Sequence, residues 1–235
     1  MFHDDVPPAL NGHAARARAI LGRMVTRLRV DAASAAGQVA RRAFDVAVAS
    51  AGLALTSPIL VCAGIAVKAT SPGPVFFRQV RVGRGGRHFA IYKFRSMYAD
   101  AEQRRAQLES QNESRGGVTF KVKRDPRITP VGRVLRKFSI DELPQLLNVL
   151  DGSMTVFGPR PPIPSETAKY GPRERRRLEV TPGLTCFWQV QGRSDLTFDE
   201  QVSLDIAFID TATVKDEVRI LAKTLPAVLS GKGAY

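Results

Sequence analysis

The sequence predicts an α+β protein that is attached to a membrane through its N-terminal part. Three observations predict it: an uncharged apolar segment with a proline near its centre, two strand-like runs joined by a glycine-rich turn, and helical patterns elsewhere. Strands this few and this local favour a small antiparallel element over a doubly wound parallel sheet. A chain of 235 residues is long enough for one substantial core. We therefore expect a single domain over residues 40–235 after a basic extension of residues 1–39.

The basic extension has the dipeptide Pro7-Pro8 followed by an alanine-rich stretch. Its arginines are Arg16, Arg18, Arg23, Arg27 and Arg29. Two interpretations stay open: a frayed tail followed by a basic helix on a membrane surface, or a disordered leader.

The apolar segment runs from Val46 to Val67 without a charged side chain. As a helix, at about 1.5 Å per residue, it is long enough to cover the hydrocarbon core of a bilayer. Ser57 and Pro58 lie near its centre, and proline removes a helix hydrogen bond there. The sequence therefore predicts a break in the membrane helix at these two residues.

Positive charge flanks the apolar segment on both sides, with Arg41 and Arg42 before it and Lys68 after it. Because positive flanks stay on the cytoplasmic side, both ends belong on one face of the membrane. We expect a re-entrant helix of about residues 43–69 that turns back at the proline. A kinked full span and a buried core helix are the alternatives.

The sequence predicts a β-hairpin after the apolar segment, followed by helices. Residues 75–82 and 88–94 are strand-like, and residues 83–87 form a glycine-rich turn between them. No helix follows that turn, so it is not a dinucleotide-binding loop. Helical patterns follow at residues 98–115, 131–137, 143–150 and 198–229.

The charge, cysteine and histidine content of the chain favours some kinds of partner and argues against some kinds of site. The formal net charge of +13 implies a negatively charged partner: nucleic acid, anionic lipid headgroups or a phosphorylated substrate. Cys62 and Cys186 are far apart and no CxxC motif exists, which argues against a disulfide framework or a zinc site. No nucleophile motif stands beside any of the three histidines, so the sequence disfavours histidine-based catalysis.

The adjacent carboxylates Asp141 and Glu142 are the sharpest catalytic candidates. A capping box formed by Ser139 and Glu142 at a helix start is the alternative. The basic cluster of residues 121–137, which includes Arg127 and Arg136, would keep a carboxylate ionised and attract a diphosphate. An ionised aspartate can attack phosphorus, while a neighbouring glutamate can hold Mg²⁺ against phosphate oxygens.

Five sequence blocks that follow the apolar segment carry a family resemblance. They are Lys93-Phe94-Arg95-Ser96-Met97, Asp141-Glu142-Leu143-Pro144-Gln145, Gly158-Pro159-Arg160-Pro161, Thr181-Pro182-Gly183-Leu184-Thr185 and Gln191-Gly192-Arg193-Ser194. Together they resemble the bacterial sugar transferase family, the monotopic phosphoglycosyl transferases that start glycan assembly on polyprenyl phosphate. The resemblance covers about residues 38–229, and we expect the compact form of the family, without a large preceding domain.

The resemblance implies roles for individual residues. Asp141 would be the nucleophile that forms a covalent phosphosugar intermediate, and Glu142 would support Mg²⁺. Arg95 and Arg160 match motif arginines that would contact phosphate or nucleotide, with structural ion pairs as the alternative. Asp205 matches an acidic position near the site of such enzymes, and a structural salt bridge is again the alternative.

The implied reaction takes a UDP-sugar and polyprenyl (undecaprenyl) phosphate to polyprenyl-diphosphate-sugar and UMP, at the start of exopolysaccharide or O-antigen synthesis. It would occur at the bacterial inner membrane, with the catalytic domain among phospholipids and facing the cytoplasm. A homo-oligomer is compatible with the sequence, and the sugar is undetermined. The rival hypotheses are a basic nucleic-acid-binding protein, which leaves the apolar segment without a role, and a non-catalytic membrane scaffold.

Overall fold

The computed structural model describes residues 35–112, 118–120, 122, 124–192 and 195–231. Most of the predicted basic extension, together with Lys121, Lys123, Arg193 and Ser194, lies outside these residues. The chain divides into two units, Met1–Arg41 and Arg42–Tyr235. The described part of the first unit is the beginning of a helix, and the second unit holds the elements discussed below.

The second unit mixes helices with short strands, which confirms the α+β prediction. The helices, including the first one that starts in the preceding unit, are α1 (Ala35–Thr70), α2 (Pro130–Lys137), α3 (Leu146–Asp151), α4 (Pro164–Thr167), α5 (Pro172–Arg175), α6 (Phe187–Gln191), α7 (Phe198–Thr211) and α8 (Val214–Ser230). The strands are β1 (Phe76–Val82), β2 (His88–Phe94), β3 (Thr155–Phe157) and β4 (Gly183–Thr185). Short 3₁₀ helices cover Arg84–Gly86, Gln103–Gln111, Ile140–Gln145 and Arg176–Leu178. The helix predicted at residues 98–115 is thus a 3₁₀ segment where the structure describes it.

Helix α1 continues through Ser57 and Pro58, where the sequence predicts a break. Pro58 has no N–H for the carbonyl of Ala54, four residues earlier. The hydroxyl of Ser57 donates to that carbonyl at 2.8 Å and so satisfies it. The serine therefore lowers the cost of carrying proline inside a helix.

The middle of α1 is apolar and exposed. Residues Gly37–Thr70 are long and apolar enough to cross a membrane, with a mean hydropathy of 2.0 over a window of which only 11% is buried. Leu55 is 81% exposed and Ile65 is 65% exposed. A core helix would bury these side chains, so the structure argues against the core-helix alternative.

Both ends of the apolar segment of α1 pack against the same folded unit. Near its start, the Asp45 carboxylate accepts from the Thr155 hydroxyl at 2.8 Å and from the Val156 N–H at 2.9 Å. The Arg42 guanidinium donates to the carbonyls of Val149 and Leu150 at the end of α3. The other end belongs to a hydrophobic cluster with β2 and α2, made of Ala63, Val67, Phe94 and Leu135.

Strands β1 and β2 form the predicted antiparallel hairpin, in a register that runs from the Phe76–Phe94 pair to the Val82–His88 pair. The turn between them uses Gly85 at φ +65°, a conformation that favours glycine. The carboxamide of Asn148 in α3 accepts from Tyr92 N at 3.0 Å and donates to Ala90 O at 2.9 Å. This side chain therefore joins α3 to the outer edge of β2.

The short strands β3 and β4 pair in parallel, an arrangement that the sequence does not predict. Two glycines allow the chain segments beside this pair to approach closely. A Cβ atom on Gly183 would lie 2.0 Å from the backbone nitrogen of Gly158. The pairing fixes the Gly158-Pro159-Arg160-Pro161 segment, which carries Arg160, against the body of the unit.

Candidate active site

One cavity of about 560 Å³ collects the charged residues that the sequence singles out. Its lining includes Arg95, Arg127, Arg136, Asp141, Glu142 and Arg160. Residues of β1, β2, the segment after β2, the 3₁₀ helix Ile140–Gln145 and α6–α7 form the remaining walls. Ser57 and Pro58 are not among the lining residues. The fold thus brings together six residues that span 66 positions of the sequence, 95 to 160.

The two carboxylates are presented by the 3₁₀ helix Ile140–Gln145. Ser139 precedes it in the left-handed conformation at φ +53°, which is unusual for a residue other than glycine. The Ser139 side chain does not cap this helix, so the capping-box alternative is wrong. Backbone conformations of this kind cost about 1–3 kcal/mol and cluster at active sites.

Glu142 is the centre of an ion-pair cluster. Its Oε1 accepts from Lys93 Nζ at 2.6 Å and from Arg160 Nη2 at 2.9 Å. Burial opposes its ionisation, but Arg160 and Lys93 outweigh burial and hold the pKa of Glu142 well below its usual range. Glu142 is therefore a fixed negative charge that positions two cations on the cavity wall.

Lys93 is the site residue that sequence reasoning missed, although it opens the first of the five motif blocks. Strand register places it opposite Phe77, which also lines the cavity. Burial lowers the pKa of Lys93 to about 8, even though Glu142 favours its charged form. The available signal was its position in the strand, two residues from Arg95, which places both side chains on one face.

The Asp141 side chain lies next to this cluster but takes no part in it. Asp141 is 7% exposed, and within the described residues its carboxylate makes no hydrogen bond or ion pair. Burial raises its pKa, while the positive charges of Lys93, Arg136 and Arg160 oppose that rise. A buried carboxylate without a protein partner, in a cavity lined with cations, is available to react with a ligand.

Two further arginines support the cation cluster. Glu142 raises the pKa of Arg160 and so secures its positive charge. Arg81, which sequence reasoning also missed, donates to Pro161 O at 2.9 Å and to Gln79 Oε1 at 2.6 Å. Burial lowers the pKa of Arg81 to about 10, helped by the charge of Arg160. The resulting positive potential suits a diphosphate.

Arg95 is tied to the loop after α1. It donates to the Ser71 carbonyl at 2.7 Å, to the Ser71 hydroxyl at 2.9 Å and to the Pro72 carbonyl. It also lines the cavity, so it connects the loop after α1 to the site. Its predicted contact with phosphate or nucleotide stays a prediction.

Arg127 pairs with Asp125, with an Nη2–Oδ2 distance of 2.6 Å, and both side chains are 6% exposed. Its guanidinium also lies 5.2 Å from the ring centroid of Phe120. Arg136 lines the cavity from α2. The predicted roles of Arg127 and Arg136 in binding the donor stay predictions.

Asp205 forms the salt bridge that the sequence left open. Its Oδ2 lies 2.8 Å from Nε of Arg177, and Asp205 is fully buried. Arg177 also donates to the Tyr170 hydroxyl at 2.7 Å and to the Arg160 carbonyl at 3.3 Å. The pair therefore connects α7 to the segment that carries Arg160.

The residues of the site fit Mg²⁺ only together with a substrate. The described residues contain no group of three or more histidine, cysteine, aspartate or glutamate side chains that could hold a metal. Mg²⁺ commonly binds one or two carboxylates plus substrate phosphates, and Glu142 offers one such carboxylate. Glu142 Oε2, with its one weak contact of 3.4 Å to Arg160 Nη1, has capacity for a cation.

Comparison with known proteins finds one family. The family model described as "Bacterial sugar transferase" matches residues 36–231. The chain is 44% identical over 202 residues to "Galactosyl transferase CpsE" of Streptococcus agalactiae serotype III, which is 83% of this chain and 43% of that protein. It is 38% identical over 204 residues to "Exopolysaccharide production protein ExoY" of Rhizobium meliloti, 85% of this chain and 89% of that protein.

A third relative carries a more detailed name. The chain is 37% identical over 203 residues to "UDP-glucose:undecaprenyl-phosphate glucose-1-phosphate transferase" of Caulobacter vibrioides, covering 83% of this chain and 72% of that protein. The chain thus spans less than half the length of the Streptococcus relative and most of the length of the other two.

Proposed function

Because the chain belongs to the bacterial sugar transferase family and is an enzyme, we propose that it transfers a sugar phosphate from a UDP-sugar to polyprenyl phosphate. The products are polyprenyl-diphosphate-sugar and UMP, and the reaction starts the assembly of an exopolysaccharide or related glycan. The names of the relatives support a hexose donor and an undecaprenyl-phosphate acceptor. The single observation that carries the chemical proposal is the unpartnered, buried carboxylate of Asp141 beside the Glu142 cation cluster.

The proposed reaction has two displacements at one phosphorus. An Oδ atom of Asp141 attacks the phosphorus that bears the sugar. The bond from that phosphorus to the bridging oxygen breaks, and UMP leaves with this oxygen. An oxygen of polyprenyl phosphate then attacks the same phosphorus and breaks its bond to Asp141, which regenerates the free carboxylate.

The cations of the site neutralise the charge that these steps carry. Lys93, Arg160 and Arg136 surround the carboxylates and balance the diphosphate of the donor. Their attraction for Asp141 offsets part of the rise in its pKa that burial and the charge of Glu142 produce. Mg²⁺, held by Glu142 and the substrate diphosphate with Asp141 beside it, would add Lewis-acid neutralisation of the leaving phosphate.

The test of the covalent step omits the acceptor. Purified enzyme mixed with a UDP-sugar alone should release about one UMP per enzyme, since the intermediate cannot turn over. Mass spectrometry should find a sugar-phosphate addition on the peptide that contains Asp141. Asp141→Asn should give neither signal, whereas Glu142→Gln should slow the burst and keep the attachment site. An active enzyme with sequential kinetics and no acceptor-free burst would overturn the covalent mechanism.

We also propose that the axis of α1 bends at Pro58, although the helix continues through it, because sharp helix kinks occur at proline. The helix would then enter the membrane from one side and return to the same side, with the domain facing the cytoplasm. The support is that residues 42–45 and 63–67 of α1 both pack against the same polar unit, while the residues between them expose apolar side chains. A helix that crossed the bilayer would put these ends on opposite sides.

Cysteine labelling tests this topology. In a chain whose exposed Cys62 is replaced, neither Ala40→Cys nor Thr70→Cys should react with an impermeant maleimide added to intact cells. Both should react after permeabilisation. Labelling of one position alone from outside would mean a full span. If Ser57→Leu combined with Pro58→Ala leaves both positions protected, the serine and proline do not set the topology.

A further inference from the structure

Besides the Glu142 cluster, the cavity has two chemically different walls. The aromatic wall consists of Tyr98, Arg105, Phe120 and Arg127. The amide wall consists of Glu166, Gln189 and Gln201, with Trp188 beside them. At about 560 Å³ the cavity has the size of a small-molecule site, so it has room for more than a diphosphate.

The aromatic wall continues directly from β2. Tyr98 N donates to Arg127 O at 2.9 Å, and Met97 pairs with Ile128 in an isolated bridge. The guanidinium groups of Arg105 and Arg127 each lie 5.2 Å from the ring centroid of Phe120. Flat aromatic and guanidinium groups of this kind stack on a nucleobase, whatever its hydrogen-bonding pattern.

The amide wall presents polar atoms that the protein has fixed in position. Gln201 Nε2 donates to Leu196 O at 3.0 Å, and Gln189 Oε1 accepts from Cys186 Sγ at 3.3 Å. Glu166 Oε2 accepts from Ile163 N at 3.2 Å. Within the described residues, the other polar atom of each of these three side chains has no partner, and none of the three is sealed from solvent.

A chain of contacts connects the amide wall to the phosphate-binding cations. Arg177 pairs with Asp205 of α7, the helix that carries Gln201, and donates to the Arg160 carbonyl at 3.3 Å. Arg160 in turn donates to Glu142 at 2.9 Å. Contacts therefore lead from each wall to the carboxylates and their cations, through β2 for the aromatic wall and through Arg177 for the amide wall.

A nucleoside-diphosphate sugar likewise joins two chemically different groups, a base and a hydroxylated ring, through a diphosphate. We propose that the sugar ring of the donor binds at the amide wall, with Gln189 and Gln201 as specificity-determining residues, and that the base binds at the aromatic wall. A side-chain amide that is held in place by one hydrogen bond to the protein can discriminate between hydroxyl positions. A hydroxyl in the wrong position leaves the other polar atom of the amide without a hydrogen bond. The indole of Trp188 offers an apolar surface for the C–H face of the ring.

The proposal rests on the proposed function and is tested with the full chain in detergent. Gln189→Met and Gln201→Met preserve side-chain length and remove the hydrogen bonds. We expect at least one of them to change the ratio of kcat/KM for UDP-galactose over UDP-glucose by about tenfold, the effect of one lost hydrogen bond. The inhibition constant of UMP should stay within about twofold of that of the unmodified enzyme. Phe120→Leu, in the aromatic wall, should weaken UMP inhibition by about tenfold and leave the ratio between the two sugars unchanged.

The possible failures separate the two hypotheses. Glutamine variants that reduce both donors equally, or that weaken UMP as much as the donors, would overturn the sugar subsite while the transferase function stands. If the unmodified chain releases no UMP from any UDP-sugar, the proposed function fails and the subsite fails with it. Altered epimer preference with unchanged UMP inhibition supports both.

Discussion

Replacement of Glu142 by glutamine tests whether the ion-pair cluster determines the charge of Lys93. In the native site the Glu142 carboxylate lies 2.6 Å from Lys93 Nζ and 2.9 Å from Arg160 Nη2. Burial has already lowered the pKa of Lys93 to about 8, against the attraction of Glu142. Glutamine has nearly the same shape but no charge, so the substitution removes that attraction and leaves the burial.

The expected size of the change in free energy follows from the exposure of the Lys93–Glu142 ion pair. Breaking a buried ion pair costs about 3–5 kcal/mol, and the lower end applies here because the Lys93 and Glu142 side chains are 13% and 21% exposed. Losing about 3 kcal/mol of attraction to the Glu142 carboxylate corresponds to a fall of about two in pKa, divided between Lys93 and Arg160. We therefore expect the pKa of Lys93 in Glu142→Gln to fall below its native value of about 8, and the free energy of unfolding at pH 7 to fall by about 2–3 kcal/mol.

Competitive acetylation of the lysine measures this pKa. The acetylation rate of Lys93, followed by peptide mass spectrometry from pH 5 to 10, reports the fraction of neutral amine, and urea unfolding in detergent reports stability. Asp100→Asn is the matched control, since it breaks a 2.5 Å pair with Arg104 whose side chains are 43% and 49% exposed. Exposed pairs contribute about 1 kcal/mol or less. A Glu142→Gln protein with native stability and an unchanged Lys93 titration would refute the reasoning.

Three other predictions concern pH, packing and the membrane helix. Activity should fall above pH 8, because Lys93 then loses its positive charge. The contribution of Lys93 to the free energy of unfolding should instead rise from pH 8 to 10.5, because the unfolded chain binds the lysine proton more tightly than the folded chain does. Measured across this pH range, the reaction rate should therefore fall while the stability in urea rises. Gly183→Ala should cost at least about 3 kcal/mol or prevent folding, because its Cβ would lie 2.0 Å from Gly158 N, and the yield of monodisperse protein measures this; a native yield would contradict it. Asp45→Ala should destabilise the unit by about 2–4 kcal/mol in urea, because the Thr155 hydroxyl and the Val156 N–H lose their acceptor; a change below 1 kcal/mol would mean that α1 is not docked through this carboxylate.

Sequence patterns predicted the β-hairpin and selected six of the residues that line the cavity. Alternating strand-like residues around residues 83–87 predict the hairpin, and charge near Asp141 predicts a phosphate-binding site. Both predictions depend on residue type and short-range spacing, which a single sequence displays. The apolar segment predicts a re-entrant membrane helix; the structure has one long apolar helix there, and the re-entrant turn stays a prediction.

Features that depend on contacts between distant parts of the chain could not be predicted from the sequence. Strands β3 and β4 are three residues each, too short to give a periodic signal, and their parallel pairing depends on the approach of Gly158 to Gly183. The contacts of Arg95 are made to backbone carbonyls of Ser71 and Pro72, which have no side-chain signature. The hydrogen bond from the Ser57 hydroxyl to the Ala54 carbonyl, which makes proline tolerable inside α1, is likewise a contact that residue types alone do not display.

The carboxamide of Asn148 has a consequence for solubility. A two-stranded hairpin leaves unpaired backbone groups along its edges, and such edges recruit strands from other molecules. By bonding to Tyr92 N and Ala90 O, the Asn148 side chain imitates one residue of a neighbouring strand and closes that edge. On the β1 side, Val82 N donates to the Pro162 carbonyl at 2.9 Å and occupies one end of the other edge. The hairpin that carries Lys93 thus offers fewer free backbone groups to strands of other molecules.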